Sequence, residues 1–309
     1  MDEHPDNPTE NKLSTAVNEP DILAAVQRSG FPLQMIITGY LADACKDMSF
    51  SIQEEWGYID RDVDQTRTID INAEIFLYDP TRNGQRIRPS LNLLIECKQS
   101  DLPYLFFLSS NKHWLPYFPM FCGLFGDAVK IKEESDDSLL GKISTPVTVP
   151  ITYGLGIDEH PFLTSPPAWC LTFSKCARKG KNLELTGSDP YLNLVLPLLK
   201  AAKHFHKVEK PPKTARYFDC HLILSIGILD APMIGVHVSP AGSNLILLPW
   251  VRVIRHQSKE KNYWDNIAAI DVVHKDFFAT YFENHAIPFA NEFSQRALEN
   301  QRILIKAVK

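Results

Sequence analysis

Residues 91–100, LNLLIECKQS, place an acid and a base at the end of a nearly continuous apolar run. A short apolar run of this kind is typical of a strand that is buried on both faces of a sheet. Side chains alternate along a strand, so Glu96 and Lys98 project from one face and Cys97 from the other. The stretch therefore predicts a central strand that ends at a pair of opposite charges.

The residues before this strand predict a helix and two more strands. Apolar residues recur at helical spacing over residues 32–47, which favours a helix. Residues 50–62 and 67–79 favour strands, and the second of these alternates in polarity. The turn-rich segment 79–90 then leads into the strand at 91–98, so the three strands are predicted to form an antiparallel meander.

The remaining elements complete a mixed α/β domain with a sheet between helices. Residues 1–19 are predicted to be a disordered tail, and residues 20–309 one domain. The segments expected after the meander are a strand at 103–108, an irregular insertion at about 109–186, a helix at 190–207, strands at 217–229 and 244–256, and a helix at about 274–300.

Composition restricts the class of protein. The net charge of −5 excludes a basic field over the whole surface, so nucleic acid would have to contact local patches. The six cysteines are widely spaced and include no C-x-x-C pair, which favours reduced thiols over a disulfide framework. The polar start of the chain and the absence of a run of about 18 apolar residues predict a cytoplasmic protein without membrane contact.

The charged residues of neighbouring strands indicate hydrolytic chemistry. If the strands at 67–79 and 91–98 pair, Asp70 can lie beside Glu96. Two carboxylates on one sheet face repel each other unless a cation lies between them, and their oxygens suit Mg²⁺ or Mn²⁺. Lys98 could then orient a water molecule and offset charge on a phosphate. This combination fits hydrolysis of a phosphodiester.

These residues carry a family resemblance. Asp70 in TIDINAE, followed by Glu96 and Lys98 in IECK, resembles the PD-(D/E)xK, or restriction-endonuclease-like, nuclease superfamily. The resemblance implies an αβββαβ core in which Asp70, Glu96 and the backbone carbonyl of Cys97 bind the metal and Lys98 serves the attacking water. Many relatives also carry a Glu on the first helix. Here Gln34 stands at that place and is expected to be an uncharged outer support.

The resemblance implies a metal-dependent nuclease acting on nucleic acid, DNA more than RNA, as in a restriction or defence system. Cleavage of both strands by one site per chain would favour a homodimer. No nucleotide-binding motif of the Walker type occurs, so any ATPase or sensor would be a separate subunit. Two alternatives remain: a catalytically inactive binding subunit, which Gln34 favours, or an unrelated α/β domain in which Asp70 and Glu96 lie far apart.

Other charged stretches supply secondary predictions. Basic clusters occur at 175–181, at 207–216 and at 252–261, and the second and third are expected to contact a nucleic-acid backbone. Tyr217 and Trp250 are expected in the core. The acids at positions 60, 62 and 64 do not form an EF-hand loop, because Gln65 and Ile71 stand where Gly and Glu are required, although one acid could assist the metal site.

Overall fold

The computed structural model describes residues 4–81, 84–111, 113–137, 141–256 and 267–308. The strands are β1 Phe50–Asp60, β2 Gln65–Phe76, β3 Ile87–Gln99, β4 Tyr104–Ser109, β5 Met120–Cys122, β6 Ala128–Asp137, β7 Gly141–Pro150, β8 Trp169–Lys179, β9 Asn182–Leu185, β10 Phe218–Asp230, β11 Met233–Ser239, β12 Gly242–Leu247, β13 Trp250–His256 and β14 Ile267–His274. The α-helices are α1 Glu19–Arg28, α2 Phe31–Ala44, α3 Ile151–Leu155, α4 Pro161–Thr164, α5 Leu196–Val208, α6 Phe278–Tyr281, α7 Ile287–Glu299 and α8 Gln301–Leu304.

Most strands of the described chain form one mixed sheet of 12 strands. Its order is β1-β2-β3-β10-β14-β13-β8-β4-β11-β12, with β5 added to β10 and β9 added to β8. Strands β1, β2 and β3 form the predicted antiparallel meander, and β10 pairs in parallel with β3. The β6–β7 hairpin is a separate two-stranded sheet. The α/β architecture predicted from the sequence, a mixed sheet flanked by helices, is confirmed.

Two apolar layers cover opposite faces of this sheet. On one face, α2 and α7 pack against residues of β3 that include Leu93 and Ile95. On the other face, α5 packs against residues of the same strands that include Leu94 and Ile223. Because β3 and β10 are covered from both sides, nearly all of their residues are buried, as in parallel central strands generally.

Several boundaries differ from the sequence prediction. The segment predicted as one strand at 244–256 is two strands separated at Pro249, because proline has no N–H for a ladder. The region 109–186, predicted as an irregular insertion of short strands, contributes β5, β8 and β9 to the main sheet and so extends it. Strands β11 and β14 were not predicted. The closing helix is interrupted by a π-helical turn at Phe282–Ala286.

Three further expectations concern the whole chain. All six cysteines are buried and unpaired, as predicted for reduced thiols. Every helix in the described ranges is too short or too polar to traverse a lipid bilayer. Of the predicted tail, residues 1–3 lie outside the described residues, and positions 4–18 form mostly exposed turns before α1 begins.

Arg252 forms a buried ion pair, so the prediction that it contacts phosphate is wrong. Its side chain is 0% exposed and donates from Nε to Oδ1 of Asp271 at 2.7 Å and from a second nitrogen to Oδ2 at 2.8 Å. The hydroxyl of Tyr281 donates to the same carboxylate, and the carbonyl of Phe162 accepts from the guanidinium. Each charge is therefore paired and hydrogen-bonded, as burial requires. Residues 257–261 of this basic cluster lie outside the described residues.

We expect Arg252→Met to lower the free energy of unfolding by about 3–5 kcal/mol, because it leaves the Asp271 carboxylate buried and unpaired. Urea denaturation measures this loss. The exposed Arg28→Met on α1 is the control and should change stability by less than about 0.5 kcal/mol. The double variant Arg252→Met, Asp271→Leu should recover much of the loss. A single variant as stable as the control would contradict the assignment.

Candidate active site at the fork of β2 and β3

The candidate site lies where β2 and β3 diverge. Their antiparallel ladder runs from Phe76–Ser90 to Ile71–Ile95 and ends there. Beyond this point β2 remains paired with β1, and β3 remains paired with β10 as far as Gln99. Asp70 and Glu96 are the next residues on the two diverging strands. The structure therefore places them side by side, which rules out the alternative that they lie far apart.

The Asp70 side chain forms the hydrogen bond that the next backbone pair of the β2–β3 ladder would otherwise form. Its carboxylate Oδ2 accepts a hydrogen bond from the backbone N–H of Cys97. The apolar alternation of β2 changes face at this point, because Ile71 packs in the layer of α2 and α7 whereas Ile69 packs in the layer of α5. This change of face accompanies the turning of the Asp70 carboxylate into the fork.

The backbone of Cys97 also faces the fork. The N–H and C=O of one strand residue point towards the same neighbour, so the Cys97 carbonyl is directed to the side on which Asp70 binds its N–H. Gly30, just before α2, lies beside this carbonyl, since a Cβ built on it would be 3.8 Å from the oxygen. The Cys97 side chain is buried in the opposite layer. The carbonyl predicted as a metal ligand is thus oriented towards the side of β3 on which the Asp70 carboxylate lies.

Glu96 and Lys98 form an ion pair at the end of β3. Nζ of Lys98 is 2.6 Å from Oε1 of Glu96, and both residues project from the face covered by α5. Glu96 is only 6% exposed, and its Oε2 is buried without a hydrogen-bond partner in the described structure. Lys98 is partly exposed. Oε1 therefore has a cation, whereas Oε2 has no well-formed hydrogen bond within the described residues, although the nearby backbone N–H of Asp70 acts to lower the pKa of Glu96.

Ionising the carboxyl groups of both Glu96 and Asp70 is electrostatically unfavourable in this structure. Burial and the charge of Asp70 raise the pKa of Glu96 to about 7, although Lys98 opposes this rise. Burial also raises the pKa of Asp70 above its ordinary value, against the Cys97 N–H and the Lys98 charge. One ammonium thus compensates a buried and a half-buried carboxylate. Strongly perturbed carboxyl groups of this kind are more frequent at functional sites than elsewhere.

The donor atoms of these residues are suited to a hard divalent cation. The unpaired Oε2 of Glu96, the Asp70 carboxylate and the Cys97 carbonyl are oxygen donors of the type that Mg²⁺ and Mn²⁺ prefer. Within the described ranges, no three or more His, Cys, Asp or Glu side chains are already gathered where they could hold a metal ion. A cation bound at the fork would therefore keep several water ligands, as Mg²⁺ commonly does.

Gln34 lies in the first turn of α2 and is 5% exposed. This helix packs on the face of the sheet opposite to the side chains of Glu96 and Lys98, and its N-terminal end is near the Cys97 carbonyl. An amide can hydrogen-bond a metal-bound water but adds no charge. A supporting role for Gln34 stays a prediction.

The acids of the β1–β2 hairpin serve another purpose. Asp60 is almost fully buried and accepts from Nζ of Lys200 on α5 at 2.8 and 2.6 Å, and its Oδ2 is 2.9 Å from Nε of Arg67. Asp62 is 3.3 Å from Lys200. These pairs attach the hairpin to α5, so Asp60 is already neutralised and is not a free metal ligand.

Sequence reasoning missed a second buried polar cluster on the same face. Nδ1 of His221 lies 2.8 Å from Oγ of Ser90, 3.1 Å from Oδ1 of Asn92 and 3.2 Å from Oε1 of Glu74, and its other nitrogen lies 3.6 Å from Glu209. Burial lowers the pKa of His221, but Glu209 and Glu74 outweigh burial and raise it to about 9. A histidine inside the apolar run of β10 was the available signal.

The predicted phosphate contact of residues 207–216 stays a prediction. Residues Lys207, Lys210, Lys213 and Arg216 are exposed, but they precede β10 at Phe218. Glu96 is level with Gly227 on β10. Gly227 lies nine positions after Phe218, so the start of β10 is about 30 Å from the level of Glu96 at the usual rise per residue. Tyr217 is 60% exposed, so its prediction as a core residue is wrong, whereas Trp250 is buried as predicted. The 207–216 segment is thus remote from the fork.

Comparison with known proteins yields no relative. No protein-family model matches the chain, no curated protein matches it, and no solved structure matches its fold. The geometry and charge of the fork are therefore the basis for assigning a function.

We expect Glu96→Gln to remove a pH-dependent component of stability, measured by urea denaturation in the presence of a chelator. The folded pKa of Glu96 is above its unfolded value, so the folded state binds the proton more tightly. Its stabilisation is present below about pH 4.5 and is lost as pH rises towards 7.

The glutamine variant should therefore gain about 3 kcal/mol relative to the native chain between pH 4.5 and 7.5. The exposed Glu54→Gln on β1 is the control and should give a constant difference. Parallel stability curves for the native chain and Glu96→Gln would show that Glu96 is not perturbed.

Proposed function

We propose that this chain is a metal-dependent nuclease that hydrolyses phosphodiester bonds of nucleic acid at the β2–β3 fork. The observation that carries the proposal is the state of Glu96. Among the described residues it is a buried carboxylate with one oxygen on Lys98 and the other without a well-formed hydrogen bond, placed next to the half-buried carboxylate of Asp70. The structural ion pair of Arg252 and Asp271 in the same sheet differs, because both oxygens of its carboxylate accept hydrogen bonds.

The order of elements around the fork supports a restriction-endonuclease-like core. Helix α2 precedes the β1–β2–β3 meander, and α5 follows and leads into β10, which pairs in parallel with β3. Helices α2 and α5 pack on opposite faces of these four strands. This is the αβββαβ order that the sequence resemblance implies. The other strands of the main sheet would be additions to that core.

The residues of the fork have distinct roles in the proposed reaction. The carboxylates of Asp70 and Glu96 and the Cys97 carbonyl would hold Mg²⁺ or Mn²⁺, which supplies Lewis-acid polarisation of a phosphate oxygen. Lys98, whose ammonium is partly exposed, would orient the attacking water and offset charge on the phosphate. Glu96 positions that ammonium through its ion pair. DNA is the expected substrate in preference to RNA, as the family resemblance implies.

A non-catalytic nucleic-acid-binding or scaffolding subunit is the second candidate. The observation that favours it is Gln34, a neutral residue on the first helix where relatives of the resembled superfamily often carry an acid. Such a protein would keep the core for docking and would have lost metal-dependent cleavage.

We expect the purified chain to cleave labelled duplex DNA when Mg²⁺ or Mn²⁺ is added. Asp70→Asn and Lys98→Ala should each reduce the cleavage rate by at least about 100-fold, because each removes a group needed at the reacting phosphate. The exposed Lys46→Ala is a matched control and should cleave like the native chain. Single-stranded DNA and RNA are tested in parallel.

Circular dichroism and thermal unfolding of each variant establish that loss of cleavage is not loss of fold. Cleavage that survives both Asp70→Asn and Lys98→Ala would exclude this site. Absence of cleavage by the native chain, together with absence of Asp70-dependent Mn²⁺ binding in calorimetry, would favour the binding subunit.

A further inference from the structure

The longest uncharged stretch of the chain forms one edge of the main sheet. Residues 231–251 contain no Asp, Glu, Lys or Arg, although 22% of the chain is charged. They include the β11–β12 hairpin, and β12 is the last strand in the order of the sheet. Proteins usually protect an edge strand with charged side chains or proline, because an edge can pair with another chain. Strand β12 contains neither.

The backbone of β12 has three residues that face the open edge. The N–H of Leu248 donates to the carbonyl of Met233 on β11, so every second residue of β12 bonds to β11. The residues between them are Ser243, Leu245 and Leu247, whose N–H and C=O groups point away from β11. Within the described ranges, β11 is the only strand that pairs with β12. Three N–H and three C=O groups are therefore available to a further strand.

The side chains beside this edge are apolar and exposed. Leu245 and Leu247 project from one face of the hairpin together with Val238, because paired residues of an antiparallel ladder share a face. Leu247 is 81% exposed, Val238 67% and Leu245 58%. A contiguous apolar surface of this kind marks a site of association more often than single exposed apolar residues do. One partner strand can cover both the open edge and this apolar face.

A second copy of the chain is the partner that the charge distribution fits. Each copy has a net charge of −5, so two copies repel each other unless uncharged surfaces meet. When a strand pairs with itself about a two-fold axis, the residue at the centre faces its own counterpart. A charge there would face a like charge, which is destabilising. Strand β12 meets this requirement because all of its residues are uncharged.

A partner of different sequence does not impose this requirement. Opposite charges can face each other across an interface between two different proteins, where they speed association and select the partner. An edge that recruits another protein would therefore gain from charged residues. The absence of charge over residues 231–251 favours self-association instead.

We propose that two copies of the chain associate by antiparallel pairing of β12 with β12, centred on Leu245. In this register Leu245 faces its counterpart and Ser243 faces Leu247, so all three outward-facing residues form hydrogen-bonded pairs. The two main sheets become one continuous sheet, and the apolar side chains of both copies lie on the same face. The inference is independent of the proposed nuclease activity, since it uses no residue of the β2–β3 fork.

Analytical ultracentrifugation of the full-length chain over a range of concentrations measures this association. We expect the native chain to form a dimer. Leu245→Lys should weaken dimerisation at least about tenfold, because two ammonium groups would face each other at the centre of the paired strands. Leu183→Lys on β9 is the matched control, since Leu183 is also an exposed leucine of a short strand, and it should dimerise like the native chain.

A mixture of two variants tests the self-pairing itself. Leu245→Lys and Leu245→Glu should each be mainly monomeric alone, and an equimolar mixture of the two should dimerise again, because opposite charges then face each other. This restoration is expected only where position 245 of one copy lies opposite position 245 of the other. Circular dichroism establishes that each variant is folded before it is mixed.

Three outcomes would overturn the proposal. A native chain that stays monomeric excludes a second copy as the partner, even if another protein binds this edge. A dimer that Leu245→Lys leaves intact uses a different surface. Loss of the dimer in both variants without restoration in the mixture excludes pairing centred on Leu245.

Discussion

The parallel pairing of β3 with β10 is the interaction on which the rest of the structure depends. It extends from Ile87–Phe218 to Gln99–Asp230, the full length of both strands. A parallel pair needs a crossover, which α5 provides, and both of its faces must be covered by apolar layers. The α2 and α7 layer covers one face and α5 covers the other. After β3 separates from β2, it remains paired with β10. The last residues of β3 are therefore still fixed by β10, although their edge towards β2 no longer has a backbone partner.

The opened edge accounts for the chemistry of the fork. A ladder that ends inside a sheet exposes a backbone N–H, and Asp70 accepts the one from Cys97. This contact brings a second carboxylate next to Glu96, whose charge is compensated by the ammonium of Lys98. The buried pair of Arg252 and Asp271 differs in this respect, because its carboxylate accepts from both the guanidinium and Tyr281. We interpret the satisfied pair as structural and the unsatisfied group as a binding site.

Local patterns predicted the part of the fold that contains the candidate site. The apolar run before Glu96 and the alternation before Asp70 each depend on near neighbours, so their strands and their pairing were predictable. The predictions failed where the structure depends on contacts between residues that are distant in the sequence. Arg252 resembled a phosphate contact because its partner, Asp271, lies on β14, a strand that was not predicted. Likewise, β8 was hidden in a Pro- and Gly-rich region, and its place in the sheet depends on β13 and β4.

The sequence by itself determined that Glu96 and Lys98 share one face of a buried strand and that an acid on the preceding strand could join them. This follows from the two-residue period of a strand, which needs no information about the rest of the molecule. Only the tertiary structure decided that β2 leaves β3 at Asp70 and that, among the described residues, one oxygen of Glu96 has no well-formed hydrogen bond. These features arise from pairing between strands and from burial, which depend on residues far apart in the chain.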